Sequence, residues 1–153
     1  MGTRATLLIR DNDGKPLVKI YRQCDGSFYM MGREIIEFIR KGKFSSSYPV
    51  SSKMGETFES MGDLAVQLMA HFKRPHTTWN SKKKIQTPGN FSVIQLDDYN
   101  ESFHYDLSVK DGQLYLKANG YEIRDGFEDE GISGEFQLYP LTEKSAKLTG
   151  VIG

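Results

Sequence analysis

The chain reads as a single α+β domain over residues 1–153. It predicts an N-terminal β-hairpin, two helices and then an antiparallel β-meander, with the helices packed on one face of an antiparallel or mixed sheet. Three observations predict this. The first twenty-odd residues alternate apolar and polar on both sides of a turn-forming cluster. Two later stretches space apolar side chains at helical period. Asp111-Gly112 then sits between two further alternating segments. With 153 residues, of which 18 are Phe, Tyr or Trp, the chain can fill one core, and no linker or internal repeat divides it.

Each element has its own warrant. Thr3, Ala5, Leu7 and Ile9 fall on one side of a strand and Arg4, Thr6, Leu8 and Arg10 on the other. Asp11 to Pro16 supplies turn chemistry, and Leu17 to Arg22 returns as the second strand, with Pro16 tolerated at its first position. Arg33 to Lys41 places Ile35, Ile36, Phe38 and Ile39 at helical spacing, and Gly42 stops that helix. Serine-rich Phe44 to Lys53 reads as an exposed loop. Ser60 and Asp63 have the spacing of an acidic capping box, opening a helix whose apolar face runs from Met61 through Leu64, Leu68 and Phe72. Pro75 ends it near Arg74, and Pro75 to Asn90 reads as a basic connector.

From Phe91 the pattern is β. Asp111-Gly112 is the dipeptide of a type I′ turn, whose two central residues both need positive φ. A two-residue loop there sets Val109 opposite Leu114, Leu107 opposite Leu116, Tyr105 opposite Ala118 and Asp106 opposite Lys117. Apolar meets apolar and acid meets base. Phe91 to Leu96 and Glu135 to Tyr139 are the expected flanking strands, with Asp125 to Gly131 an acidic, solvated loop between.

Composition narrows the function classes. Twenty basic and twenty acidic residues cancel, so no overall charge drives the chain to DNA or to a membrane surface. The distribution is uneven: residues 1–90 carry 15 Lys/Arg against 8 Asp/Glu, and residues 91–153 carry 5 against 12. Opposite halves of this kind fit two faces of one domain or a head-to-tail homo-oligomer. The single cysteine, Cys24, excludes an internal disulfide and a cysteine-built zinc site. No apolar run reaches the length of a membrane span, and MGTRATLLIR lacks the pattern of a secretory signal, so a cytoplasmic location without membrane partners is expected.

The strand-to-helix corner, Tyr21 to Arg33, is the main candidate site. A helix N-terminus presents amides and a partial positive charge to anions. Here Gly26 would supply positive φ, Gly32 a close backbone approach, and Arg4, Arg22 and Arg33 charge, with Tyr21 and Asp25 at the rim. The implied partner is an anionic, nucleotide-like small molecule. A second candidate is the basic patch of Lys82, Lys83 and Lys84 with Trp79, which fits phosphate contacts plus stacking. No catalytic set is expected, and no metal or cofactor.

The corner also carries a resemblance. Met1-Gly2-Thr3-Arg4, a short hairpin, the Tyr21-Arg22 pair, Asp25-Gly26 and a glycine leading into a helix resemble an uncharacterised family of small bacterial and phage proteins. That family begins MGTR and carries an aromatic-Asp-Gly-Tyr-Pro-x-Gly-x-Gly turn. The likeness covers residues 1–42 and departs at Cys24, at Ser27-Phe28 and at Met30. It implies an accessory gene of phage or bacterial type rather than an activity. The leading expectation is therefore a non-enzymatic binding protein, of counter-defence character, for an anionic small molecule or a host protein. Two other readings stay open: a phosphoesterase using His76 and His104, and a protein–protein inhibitor acting through the Phe28-Met31 loop.

Overall fold

The computed structural model describes residues 3–45, 53–80, 82–97, 103–111 and 113–120, and the backbone of 123–124, 127–128 and 132–137. Hydrophobic alternation lays out its first hairpin, β1 (Ala5–Arg10) and β2 (Pro16–Arg22). The Asp11 carboxylate holds the intervening turn by accepting the amides of Asp13 and Lys15, each at 2.9 Å. One wide turn, Phe28–Gly32, then runs directly into α1 (Arg33–Arg40). The two-residue strands β3 (Lys43–Phe44) and β4 (Thr57–Phe58) pair in parallel before α2 (Met61–Lys73). Next come β5 (His76–Asn80) and β6 (Lys83–Thr87), β7 (Phe91–Ile94), β8 (Phe103–Lys110) and β9 (Gln113–Gly120). The short pair β10 (Ile123–Arg124) and β11 (Phe127–Glu128) precedes β12 (Ile132–Gln137).

The main sheet has six strands in the order β12-β9-β8-β1-β2-β7. Among the described residues its only parallel pairing joins β1 to β8, with Ala5 opposite Phe103 and Ile9 opposite Leu107. The α+β class and the helical layer on the sheet follow the sequence. One face of the sheet, built from Ala5, Leu7, Ile9, Ile20, Tyr105 and Leu116 among others, is buried against Ile35, Ile36 and Ile39 of α1 and Leu64, Leu68 and Phe72 of α2. Phe72 also stacks on Phe91, with ring centroids 4.3 Å apart and planes 4° from parallel.

The β8–β9 hairpin has the register expected from the sequence, pair for pair, and Asp111 takes the positive φ (51°) that the turn requires. The acidic capping box of α2 also forms, with a shift. The Asp63 amide donates to Ser60 Oγ at 3.1 Å, while the Asp63 carboxylate accepts the amide of Glu59 at 2.9 Å. No helix among the described residues is long and apolar enough to cross a membrane.

Three expectations are corrected. Pro75 to Asn90 is an ordered antiparallel ribbon, β5–β6, rather than a connector, because Thr, Trp and Ile favour the extended pleat and the lysine run conceals that pattern. β7 does not flank the later hairpin; it returns to β2 at the opposite edge of the sheet. The last strand occupies 132–137, earlier than the 135–139 expected. Residues 46–52 of the serine-rich loop, and 125, 126 and 129–131 of the acidic loop, lie outside the described residues.

Candidate functional site

The strand-to-helix corner does not keep its amides open. The Gly26 amide donates to the Thr3 carbonyl at 2.9 Å, and the amides of Met30, Met31 and Gly32 all turn back to the Ser27 carbonyl. The cause is the wide turn. Helical winding begins at Phe28, so the Gly32 amide is already inside it, and Gly32 itself has helical φ and ψ of −59° and −45°. Positive φ falls on Asp25 (58°) rather than on Gly26.

The charged and aromatic residues of the corner are also distributed. Successive strand residues face opposite ways, so Arg22 turns to the helical side while Tyr21, opposite Thr6, lies on the other face. Arg4 and Arg33 are both exposed, and Arg33 pairs with Glu37 at 2.9 Å. The Phe28-Met31 segment is split in the same manner. Phe28 and Met31 enter the core, while Tyr29 and Met30 remain exposed.

What the helical side does assemble is a charge cluster beside a cleft of about 400 Å³. At its head Glu34 accepts from Arg22 Nη1 at 3.0 Å and from Arg74 Nη1 at 3.1 Å, with His71 Nε2 at 3.5 Å. Arg22 also lies 4.7 Å over the ring of Phe91. His71 rests on Phe38, ring centroids 4.6 Å apart, and so joins α2 to α1 across the cleft floor. The far wall is the segment Lys53 to Glu56. Gln67 of α2 pins it, accepting the Gly55 amide at 2.7 Å and donating to the Thr57 carbonyl at 2.9 Å.

The polar groups that line this cleft are unequally satisfied. Glu34 is clamped by two arginines, Glu37 is paired with Arg33, and the Glu56 carboxylate accepts the Lys53 amide at 2.9 Å. Among the described residues, neither the Lys41 nor the Lys53 ammonium has an acidic or hydrogen-bonding partner. Among the described residues, the side chains of the cleft that lack any partner therefore include these two ammonium groups.

Burial holds the His71 imidazole below the usual histidine pKa. Arg74 pushes in the same direction, Glu34 opposes it, and Lys41 lowers it slightly further. The ring is neutral at neutral pH. Since the unfolded chain takes up this proton at a higher pH than the folded chain does, protonation favours unfolding. The contribution of neutral His71 is thus complete above about pH 6.5 and declines as the pH falls below it. Urea midpoints followed from about pH 8 down to about pH 5 are expected to drop along that limb, and His71→Gln to flatten it. Equal slopes in the two proteins would remove His71 as the cause.

The opposite face of the sheet carries a second hollow of about 300 Å³, where Thr6, Lys19, His104, Asp106 and Lys117 meet. Arg10 Nε reaches both oxygens of Asp106 at 2.9 and 3.0 Å, and Thr6 Oγ1 lies 3.2 Å from His104 Nδ1. Lys19 is only 3% exposed and its ammonium approaches the Leu96 carbonyl at 3.4 Å. His104 belongs to this hollow, whereas His76 lies on the β5–β6 ribbon; among the described residues no contact joins them. The described residues likewise contain no grouping of three or more His, Cys, Asp or Glu able to hold a metal ion.

The chain matches no protein-family model, no curated protein and no solved structure. Its chemistry must be read from the geometry. Sequence reasoning does not single out Glu34, Lys41 and His71 as members of one site. A signal was present: Glu34 and Phe38 of α1 and Lys41 at its C-cap are spaced i, i+4, i+7, and His71 of α2 is followed at i+3 by Arg74 at its C-cap.

Proposed function

We propose that this protein is a non-enzymatic binding protein whose ligand is a small anion of nucleotide type, held in the cleft between α1, α2 and the Lys53–Glu56 segment. One observation carries the reading: every carboxylate lining the cleft has a protein partner, while the ammonium groups of Lys41 and Lys53 have none among the described residues. A ligand with two or more anionic oxygens would complete those donors, and the neutral His71 adds a ring nitrogen that can share a hydrogen bond. The cleft volume lies within the range of small-molecule sites. Met54, exposed on the wall, offers an apolar surface for a base or a sugar edge.

The resemblance of residues 1–42 to small bacterial and phage proteins supports an accessory role, such as sequestering a nucleotide signal in the cytoplasm. The opposed charges of the two halves are compatible with a homo-oligomer that helps to enclose the cleft. In a thermal-shift panel of mono- and dinucleotides and small phosphorylated metabolites, at least one compound at a hundredfold excess over its Kd should raise Tm by about 5 °C or more. The Lys41→Ala/Lys53→Ala double variant should lose that shift while keeping the parental Tm without ligand. A panel without any response, or a response that survives the double substitution, would overturn the proposal.

A further inference from the structure

The β5–β6 ribbon stands apart from the six-stranded sheet as its own two-stranded unit. Its root is fixed. Lys73 Nζ at the end of α2 donates to the carbonyls of Gly89 and Phe91, each at 2.9 Å, so the two legs leave the domain together. The residues of β6 are exposed from end to end, and Trp79 of β5 is 70% exposed. A large indole left in water is costly unless something covers it. Among the described residues the Trp79 ring makes no aromatic or cation–π contact.

The charge pattern of this ribbon is one-sided. From Pro75 to Asn90 the sequence contains Lys82, Lys83 and Lys84 and no aspartate or glutamate. Those ammonium groups have no carboxylate partner among the described residues. The register then decides how charge and ring combine. Trp79 is paired with Lys84 and Thr77 with Gln86, so indole, ammonium, hydroxyl and amide share one face. Gln86 Nε2 donates to Thr77 Oγ1 at 3.0 Å on that face.

We infer that this face of the ribbon binds single-stranded nucleic acid, with Trp79 stacking on a base and Lys84, beside the ring, and Lys82, at the turn, contacting the flanking phosphates. An exposed ring adjoining a cation, on a rooted ribbon free of acids, offers the two contacts that single strands require, and stacking tolerates any base. A duplex would hide the bases from the indole. An acidic protein would use the lysines and leave the ring uncovered. The site is separate from the cleft, and its test does not depend on the cleft having a ligand.

Trp79 is the only tryptophan of the chain, so its fluorescence reports the contact directly. The protein is titrated with an oligothymidylate of about 15 nucleotides, the same-length duplex, and polyglutamate. The inference expects quenching by the single strand, weaker binding of the duplex, and no quenching by polyglutamate. Two phosphate contacts predict a log–log salt slope of about −1.4. With a labelled oligonucleotide followed by anisotropy, Trp79→Ala is expected to weaken binding about tenfold or more, and Trp79→Phe to retain most of it. Replacing Lys82 and Lys84 together with Gln should abolish the salt slope. Absence of quenching at low salt would overturn the inference. So would preference for the duplex, equal quenching by polyglutamate, or undiminished binding by Trp79→Ala.

Discussion

Glu34→Ala is expected to lower the unfolding free energy by about 3 kcal/mol, the largest effect of any single change in the cleft. The reason is what it leaves behind. The carboxylate is the shared acceptor of Arg22 and Arg74, at 3.0 and 3.1 Å. The side chains of Arg22 and Glu34 are only 15% and 22% exposed, and Arg22 lies over Phe91 where water has poor access. Deleting one member of such a pair strands the other charge, which costs far more than the pair contributes when intact. Residual solvent access places the figure at the low end of the range for buried pairs.

Two companions separate charge from contact. Glu34→Gln keeps an acceptor but loses the charge, so it should fall between the parent and Glu34→Ala. Adding Arg22→Met to Glu34→Ala should recover part of the loss, since the stranded guanidinium is gone. Glu34 is also the group that holds the His71 pKa up against burial and Arg74. In Glu34→Ala the imidazole should therefore titrate still lower, which NMR of the ring protons would record. A loss under about 1 kcal/mol with an unmoved His71 would mean that the cluster is surface decoration.

The contrast between what could and could not be read in advance follows sequence distance. The β8–β9 hairpin was legible because Asp111-Gly112 sets the loop, the loop sets the register, and each apolar residue then finds an apolar partner within a few residues. The parallel pairing of Ala5 with Phe103 carries no comparable local mark. Two alternating strands of equal quality look alike until the chain has closed a loop of nearly a hundred residues. The same limit explains the corner. Its glycines announce a turn, but the carbonyl that takes the Gly26 amide belongs to Thr3, on the far side of the first hairpin. The cleft was hidden differently. Glu34, Glu37 and Lys41 have the look of a solvated helix face, and only the packing of α2 and Gly55 against them converts that face into a lining.

Gly26→Ala is expected to destabilise by about 3 kcal/mol or more, although Gly26 needs no unusual backbone angle. A methyl at this position would lie 2.6 Å from Ala5 Cβ, 2.8 Å from the Thr3 carbonyl and 3.0 Å from the Ala5 amide nitrogen. Two of these are backbone atoms at the start of β1, which is held between β2 and β8 in the middle of the sheet. The strand cannot yield, so the corner must move. Moving it lengthens the Gly26 N–H bond to Thr3 and withdraws the Gly26 carbonyl from the buried Tyr105 hydroxyl, now 2.7 Å away. Tyr105→Phe removes that last bond and should cost about 1–2 kcal/mol. Combined, the two changes should cost less than their sum, because the displaced corner has already lost the hydroxyl. Asp25→Gly should be tolerated or mildly stabilising, since the left-handed φ of 58° sits there. Urea unfolding of the four proteins distinguishes this from a purely conformational role. If glycine were needed at Gly26 for its backbone freedom, Tyr105→Phe and Gly26→Ala would simply add.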